Sequence, residues 1–397
     1  MPPPRKDADV PDWITLPVDP RLLRGALDVE RTERGIVPHR LPAWVREQYP
    51  DPYLCRAEAQ ASGVRLAFRT RATAIDLDVL PTKTVFKGAP PPPEGLYDLL
   101  VDGRPAGGVS VSGGNVLTVD LVTQSESVHP GPPVTVRFTG LPPDEKDIEI
   151  WLPQTEAVEL IALRTDAPVE AAPDHGRRVW LHHGSSISHG TTAGSPTTTW
   201  PALAAGLGGV ELVNLGLSGN ALLDPFTARV LRDTPADLIS VKLGINVVNA
   251  DLMRLRAFAP AVHGFLDTVR EGHPTTPLLV VSPVLCPVQE DTPGPLLPDF
   301  GGGKVRFRAL GDPAERAEGK LTLRVVRDEL ARIAAQRAAG DPNLYYLDGL
   351  SLYGEADAAE LPLPDGLHPD PAGHHRIGER FAALVLADGG AFAVEDG

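Results

Sequence analysis

The sequence predicts an α/β protein. An antiparallel, jelly-roll-like β-sandwich is expected over residues 1–168, a linker at 169–177, and a three-layer α/β/α unit with a parallel sheet over 178–397. Three observations predict this. Apolar and polar residues alternate from about residue 60 to 165, the period of half-buried strands. The stretch Asp166-Ala-Pro-Val-Glu-Ala-Ala-Pro-Asp-His-Gly176 then breaks the pattern as a linker would. Beyond it, short apolar runs alternate with stretches of helical spacing, which implies parallel strands with helices on both faces.

In the first half, Val64, Leu66 and Phe68 alternate with small or basic residues, and Ile75, Leu77 and Val79 with Asp76 and Asp78. Val134, Val136 and Phe138 repeat the pattern, as do Ile148, Ile150 and Leu152. Asp102-Gly103, Gly113-Gly114 and Gly140-Leu-Pro-Pro143 punctuate the runs as turns. Many short strands with no helical spacing between them read as a sandwich, around which the Pro- and Arg-rich first 55 residues are expected to wrap.

In the second half, the expected strands are Val179–His183, Val210–Asn214, Ala236–Leu243, Pro277–Pro283 and Leu344–Leu347. A short helix is expected from Trp200 to Leu207. A longer one is marked by Leu252, Leu255, Phe258, Val262, Phe265 and Val269, which share one face, and it stops at Gly272 before Pro274. Leu323, Val326, Leu330 and Ile333 mark another, and His374 to Leu386 the last. The stretch from Cys286 to Lys320 is rich in Gly and Pro and follows a strand directly. It is expected to wall the active site.

Composition removes several function classes. The formal net charge of −15 disfavours nucleic acid and anionic membrane as partners, since both require a positive surface. Two cysteines, Cys55 and Cys286, form neither a disulfide framework nor a zinc spacing. The opening Met-Pro-Pro-Pro-Arg-Lys-Asp has no apolar signal core, and no run approaches the ~18 apolar residues of a membrane span. A cytoplasmic location is therefore expected. His182-His183 and His374-His375 are adjacent pairs. Neighbours on a strand face opposite ways, which separates His182 from His183, and His374-His375 read as the start of a helix, so no metal site is expected, and no cofactor.

In parallel sheets the site lies at the C-terminal strand ends, and the chemically versatile residues fall there. Ser186 sits in Gly184-Ser-Ser186-Ile-Ser-His-Gly190, where a strand gives way to a turn. A helix after that turn would aim N–H groups at developing negative charge. Asp365 and His368 are three apart on one short turn, so the carboxylate can hold one ring nitrogen and leave the other for Ser186. Asn246, in Gly244-Ile-Asn246, can donate from its amide. Gly219 and Ser186 can donate backbone N–H groups, completing an oxyanion hole. Each motif alone also reads as an ordinary Gly/Ser loop, turn or cap.

Taken in order, these blocks resemble the SGNH (GDSL) hydrolases over roughly residues 178–388, with the S, G, N and H falling on Ser186, Gly219, Asn246 and His368. Val280-Val-Ser-Pro283 and Leu347-Asp-Gly349 are similar to its later strands. Two positions depart: Ser185 and Val247 stand where the family usually has Asp. The resemblance implies a catalytic triad of Ser186, Asp365 and His368 with an oxyanion hole of Ser186, Gly219 and Asn246. The first half resembles the β-sandwich that precedes the catalytic unit in one branch, through Gly95-Leu-Tyr-Asp-Leu99. No Gly-x-Ser-x-Gly elbow occurs, which argues against an α/β-hydrolase.

The expected reaction is acyl transfer through an acyl-Ser186 ester, from a small-molecule ester or thioester donor to an alcohol acceptor, as in natural-product tailoring relatives. Water as acceptor would make the chain an esterase of small esters or acetylated carbohydrates. A third reading, a glycan-binding module with a spent catalytic unit, predicts no labelling by a serine-reactive phosphonate. The residues leave the oligomeric state open.

Overall fold

The computed structural model describes residues 13–393, so the Pro-rich start at 1–12 lies outside the described residues. Residues 14–171 form two face-to-face sheets of eight and six strands. Leu66, Phe68, Tyr97, Leu99, Ile148 and Ile150 of one sheet meet Ile75, Leu77, Val79, Val136, Phe138 and Leu160 of the other in one buried core. The period-two alternation accounts for this, because successive side chains leave a strand on opposite faces. On the outer face Asp76 is bonded by Arg137 at 2.7 Å and by Arg164, which also reaches Asp78 at 2.8 Å. The pairing is antiparallel with one exception: Ala74–Phe86 runs parallel to Asn115–Asp120 through Thr82–Phe86. Val169–Ala171, at the start of the expected linker, instead forms the edge strand against Arg65–Thr70. Its backbone groups find partners there rather than in water.

Five parallel strands make the second sheet: Val179–Gly184, Glu211–Gly216, Leu238–Lys242, Leu278–Val281 and Leu344–Leu347. Numbered in chain order, they lie 2-1-3-4-5 across the sheet. Alternation on the first strand fills both faces. Trp180 stacks on Phe381 of helix Pro371–Phe381 and packs at a tilt against Trp200 of helix Trp200–Gly208, while His183 on the other face stacks on Phe265 of helix Leu255–Gly272.

Three expectations shift at element ends. The long helix begins at Leu255, because Asp251 adopts a left-handed φ of 51° and Leu252 remains exposed. The last helix begins at Pro371, where Asp370 accepts the Gly373 N–H and Pro cannot miss a donor it does not need. The stretch 286–320 folds a hairpin, Leu296–Asp299 with Arg306–Ala309. No helix among the described residues is long and apolar enough to cross a membrane.

Candidate active site

The strand order reverses between the first and third strands, so a crevice opens at their C-terminal ends. Ser186 begins the short helix Ser186–His189 directly after the first strand. Two glycines permit that bend. Gly190 has φ of 87°, and a β-carbon on Gly184 would lie 2.3 Å from Ser188 Oγ. Asn246 follows the third strand, in helix Ile245–Asn249 behind Gly244 at φ of 105°. Gly219, at φ of 70°, follows the second strand.

His368 and Asp365 share one turn, hinged at Gly366 with φ of 85°. Asp365 Oδ1 accepts the backbone N–H groups of Leu367 (2.8 Å) and His368 (2.7 Å), which leaves Oδ2 to meet His368 Nδ1 at 2.7 Å. His368 Nε2 then lies 2.9 Å from Ser186 Oγ. Burial pushes the Asp365 carboxyl up, but the His368 ring and the two backbone donors outweigh it and hold it below the usual carboxylate range. An ionised Asp365 makes Nδ1 the protonated nitrogen and frees Nε2 to take the serine proton.

The other two oxyanion-hole candidates, Gly219 and Asn246, follow the strands that lie on either side of the Ser186 strand. Asn246 Oδ1 accepts the Ala221 N–H at 3.1 Å, which fixes the flip of the carboxamide and turns its N–H₂ away from that bond. The three side chains are nearly buried, Ser186 at 8%, His368 at 7% and Asn246 at 3% exposure, so charges developing there meet little water. The arrangement can deprotonate a hydroxyl and donate to an oxyanion.

The hairpin walls this site. Phe307 donates its N–H to the Asp365 carbonyl at 2.8 Å and sets its ring edge against the His368 imidazole, 5.5 Å between centroids. Cys286 Sγ reaches the Gly366 carbonyl at 3.4 Å, but burial pushes its thiol up to about 12, so it is an inert neighbour. The two departures have different fates. Val247 is fully buried in the core, while Ser185 is buried with no partner for its Oγ among the described residues. The pair on the first strand separates as strand geometry requires. His182 bonds Ser240 and Ser188, whereas His183 donates to the Leu215 carbonyl.

No residue of the first half was singled out for the site from sequence. Tyr53, from helix Pro52–Ala59, places its hydroxyl 2.2 Å from where a β-carbon on Gly219 would be, so its ring edge rests on that glycine. Arg56 lies 5.1 Å over the Tyr53 ring and pairs with Glu126. Asp98 accepts from Ser195 Oγ at 2.6 Å and from the Thr197 N–H at 3.1 Å. Tyr53 and Arg56 show no period or motif that marks them, whereas Asp98 lies in the Gly95-Leu-Tyr-Asp-Leu99 segment that carried the resemblance of the first half.

Comparison with known proteins bears on the family and the fold. A profile of the GDSL-like Lipase/Acylhydrolase family matches residues 183–376, and one of the SsfX3 N-terminal domain matches residues 22–160. The chain joins a GDSL-like domain to an SsfX3-type N-terminal domain. It is thus an enzyme of the GDSL acyltransferase/esterase type. Among solved structures it is similar to a salicylyl-acyltransferase, SsfX3, from a tetracycline biosynthetic pathway. The identity is 29%, covering 93% of this chain and 95% of that one, at a TM-score of 0.77. A GDSL-like protein from Bacteroides ovatus (18% identity, 93% and 96% covered, TM-score 0.66) shares the fold. So does a family two carbohydrate esterase from Cellvibrio japonicus (12%, 94% and 96%, TM-score 0.54). A search of curated protein sequences found no match.

Proposed function

We propose that the chain is a serine acyltransferase that forms an acyl-Ser186 ester and passes the acyl group to a small-molecule hydroxyl. The observation that carries this is the continuous relay from Asp365 through His368 to Ser186, at 2.7 and 2.9 Å. His368 Nε2 takes the Ser186 proton as Oγ attacks the acyl carbonyl, and Asp365 stabilises the imidazolium. The N–H groups of Ser186 and Gly219 and the Asn246 amide stabilise the oxyanion. His368 returns the proton to the leaving group. It then deprotonates the incoming hydroxyl, which attacks the acyl carbonyl; the bond to Ser186 Oγ breaks and His368 gives its proton back to Oγ. No step calls for a metal or cofactor.

Transfer over hydrolysis is supported by the likeness to SsfX3, an acyltransferase, across both halves of the chain. Tyr53 and Phe307 also flank the site and can limit water at the acyl ester. The acylhydrolase name of the matching family favours the esterase reading. We also propose that the sandwich ends at Ala171, with the join to the GDSL-like domain in residues 172–178. A cytoplasmic location suits a biosynthetic role of this kind.

The test is product analysis with a thioester donor and a panel of alcohols. Acylated alcohol in excess of free acid is expected. Free acid alone, at the same rate with and without alcohol, would leave an esterase.

A further inference from the structure

Arg40 is completely buried, at the junction of the two halves, and its guanidinium reaches three separate parts of the active-site scaffold. Nη1 donates to the carbonyls of Gly216 (2.6 Å) and Asn214 (3.2 Å), at the end of the strand that leads to Gly219. Nε donates to the Gln60 carbonyl at 2.6 Å and Nη2 to the Ala57 carbonyl, at the end of the helix that carries Tyr53. Nη2 also stands 3.2 Å from His189 Nδ1, at the end of the Ser186 helix.

That last contact settles a tautomer. Arginine has no acceptor, so His189 Nδ1 must accept, and its proton sits on Nε2. Nε2–H then donates to the Gln154 carbonyl at 2.6 Å. Burial, and next the Arg40 charge, holds the His189 ring well below its ordinary range and therefore neutral. The same turn is held twice more from the first half: Ser62 Oγ donates to the His189 carbonyl at 2.6 Å, and Gln154 Nε2 to the Gly190 carbonyl at 3.4 Å. Gly190 in turn donates to the Ser186 carbonyl at 2.9 Å. There is no slack between these parts, since a β-carbon on Gly216 would lie 2.4 Å from the His189 nitrogen.

We propose that Arg40 is a positioning residue for acyl transfer: from the N-terminal domain it fixes the Ser186 turn against the Gly219 strand, which makes that domain part of the catalytic apparatus. The proposal rests on the Ser186 reading above. An arginine is suited to this role because its planar fork can hold several carbonyls at fixed angles, where lysine presents one point charge. A shift of about 1 Å in such a turn costs on the order of 10²-fold in rate.

The test uses the full chain and the p-nitrophenol burst that reports acylation. Arg40→Lys is expected to lower kcat by about 10- to 100-fold with KM within about threefold, because the contact is to the scaffold and not to substrate. Its loss should be non-additive with Asn246→Ala, since both act on one oxyanion hole. Ser62→Ala removes the tie to His189 and the one from Asn214, Gln154→Ala removes the ties to Gly190 and Ala193, and these variants stand in if Arg40→Lys does not fold. Each should lower kcat by at least about threefold. The proposal is overturned if a folded Arg40→Lys keeps kcat within twofold, if its loss is strictly additive with Asn246→Ala, or if both stand-ins keep full kcat. Phosphonate labelling of Ser186 in the wild type checks the underlying reading separately.

Discussion

Replacing Asn246 with alanine separates catalysis from stability, because its two amide atoms have different duties. Oδ1 accepts the Ala221 N–H at 3.1 Å, and Nδ2 is the donor available to an oxyanion. Losing one hole donor should cost about 2.7–4 kcal/mol in the barrier, roughly 10²–10³ in rate. Losing Oδ1 leaves the Ala221 N–H unpaired in a buried place, which costs about 1–3 kcal/mol of stability. A domain with about 5–15 kcal/mol in hand stays folded at 25 °C after such a loss, so unfolding cannot mimic the rate effect. The interaction exists only when the carbonyl oxygen is charged, so kcat and kcat/KM should fall together with KM nearly unchanged. Burst kinetics with a p-nitrophenyl ester and a urea titration of the same variant measure both quantities. A rate within about threefold of wild type, or a loss confined to KM, would refute the oxyanion-hole assignment.

Three further outcomes are expected. Lys242 is buried with no partner for Nζ among the described residues, and burial lowers it from its ordinary 10.5 to about 8. At 1.36 kcal/mol per pH unit, Lys242→Met should stabilise the fold by about 3 kcal/mol at pH 7, and the gain should vanish as pH rises from about 8 past 10.5 in urea titrations. Burial lowers His183 to about 4 and His374 to about 3, so below pH 6.5 the unfolded chain takes up protons that the folded chain refuses. With His182 and His189, which burial also holds well below the ordinary range, these four should make stability fall by roughly 5 kcal/mol per pH unit from about 6 towards 4, and His183→Asn should remove about a quarter of that slope. Tyr53→Ala should raise the share of acyl groups lost to water by roughly threefold or more in product analysis, since it strips an aromatic wall from beside Gly219. An unchanged share would remove Tyr53 from the cleft.

Elements with a period or a motif were legible in the sequence. Ile75, Leu77 and Val79 alternate, and they line the sandwich core. Phe258, Val262, Phe265 and Val269 keep helical spacing, and they are the buried face of helix Leu255–Gly272. Asp365 and His368 are close in sequence and share a turn, so their geometry could be anticipated. Leu252 fits the same spacing but falls outside the helix, because periodicity does not register the left-handed Asp251. Arg40, Ser62 and Gln154 could not be read at all. A buried arginine looks like a surface one in sequence, and its bonds go to backbone carbonyls that carry no residue identity. Their partners lie up to 176 residues away, and only the docking of the two halves brings them together. The hairpin at 296–309 was similarly hidden, since Gly and Pro dominate the stretch and its alternating run, Val305-Arg-Phe-Arg-Ala309, is only a few residues long.

The proposed reaction turns on a covalent acyl group carried by Ser186. The direct measurement is the intact mass of wild type and Ser186→Ala after brief exposure to p-nitrophenyl and thioester donors. An added acyl mass is expected on the wild type alone, mapped to Ser186 and removed faster when an alcohol acceptor is present. An adduct that persists in Ser186→Ala, or donor turnover by that variant at the wild-type rate, would contradict it.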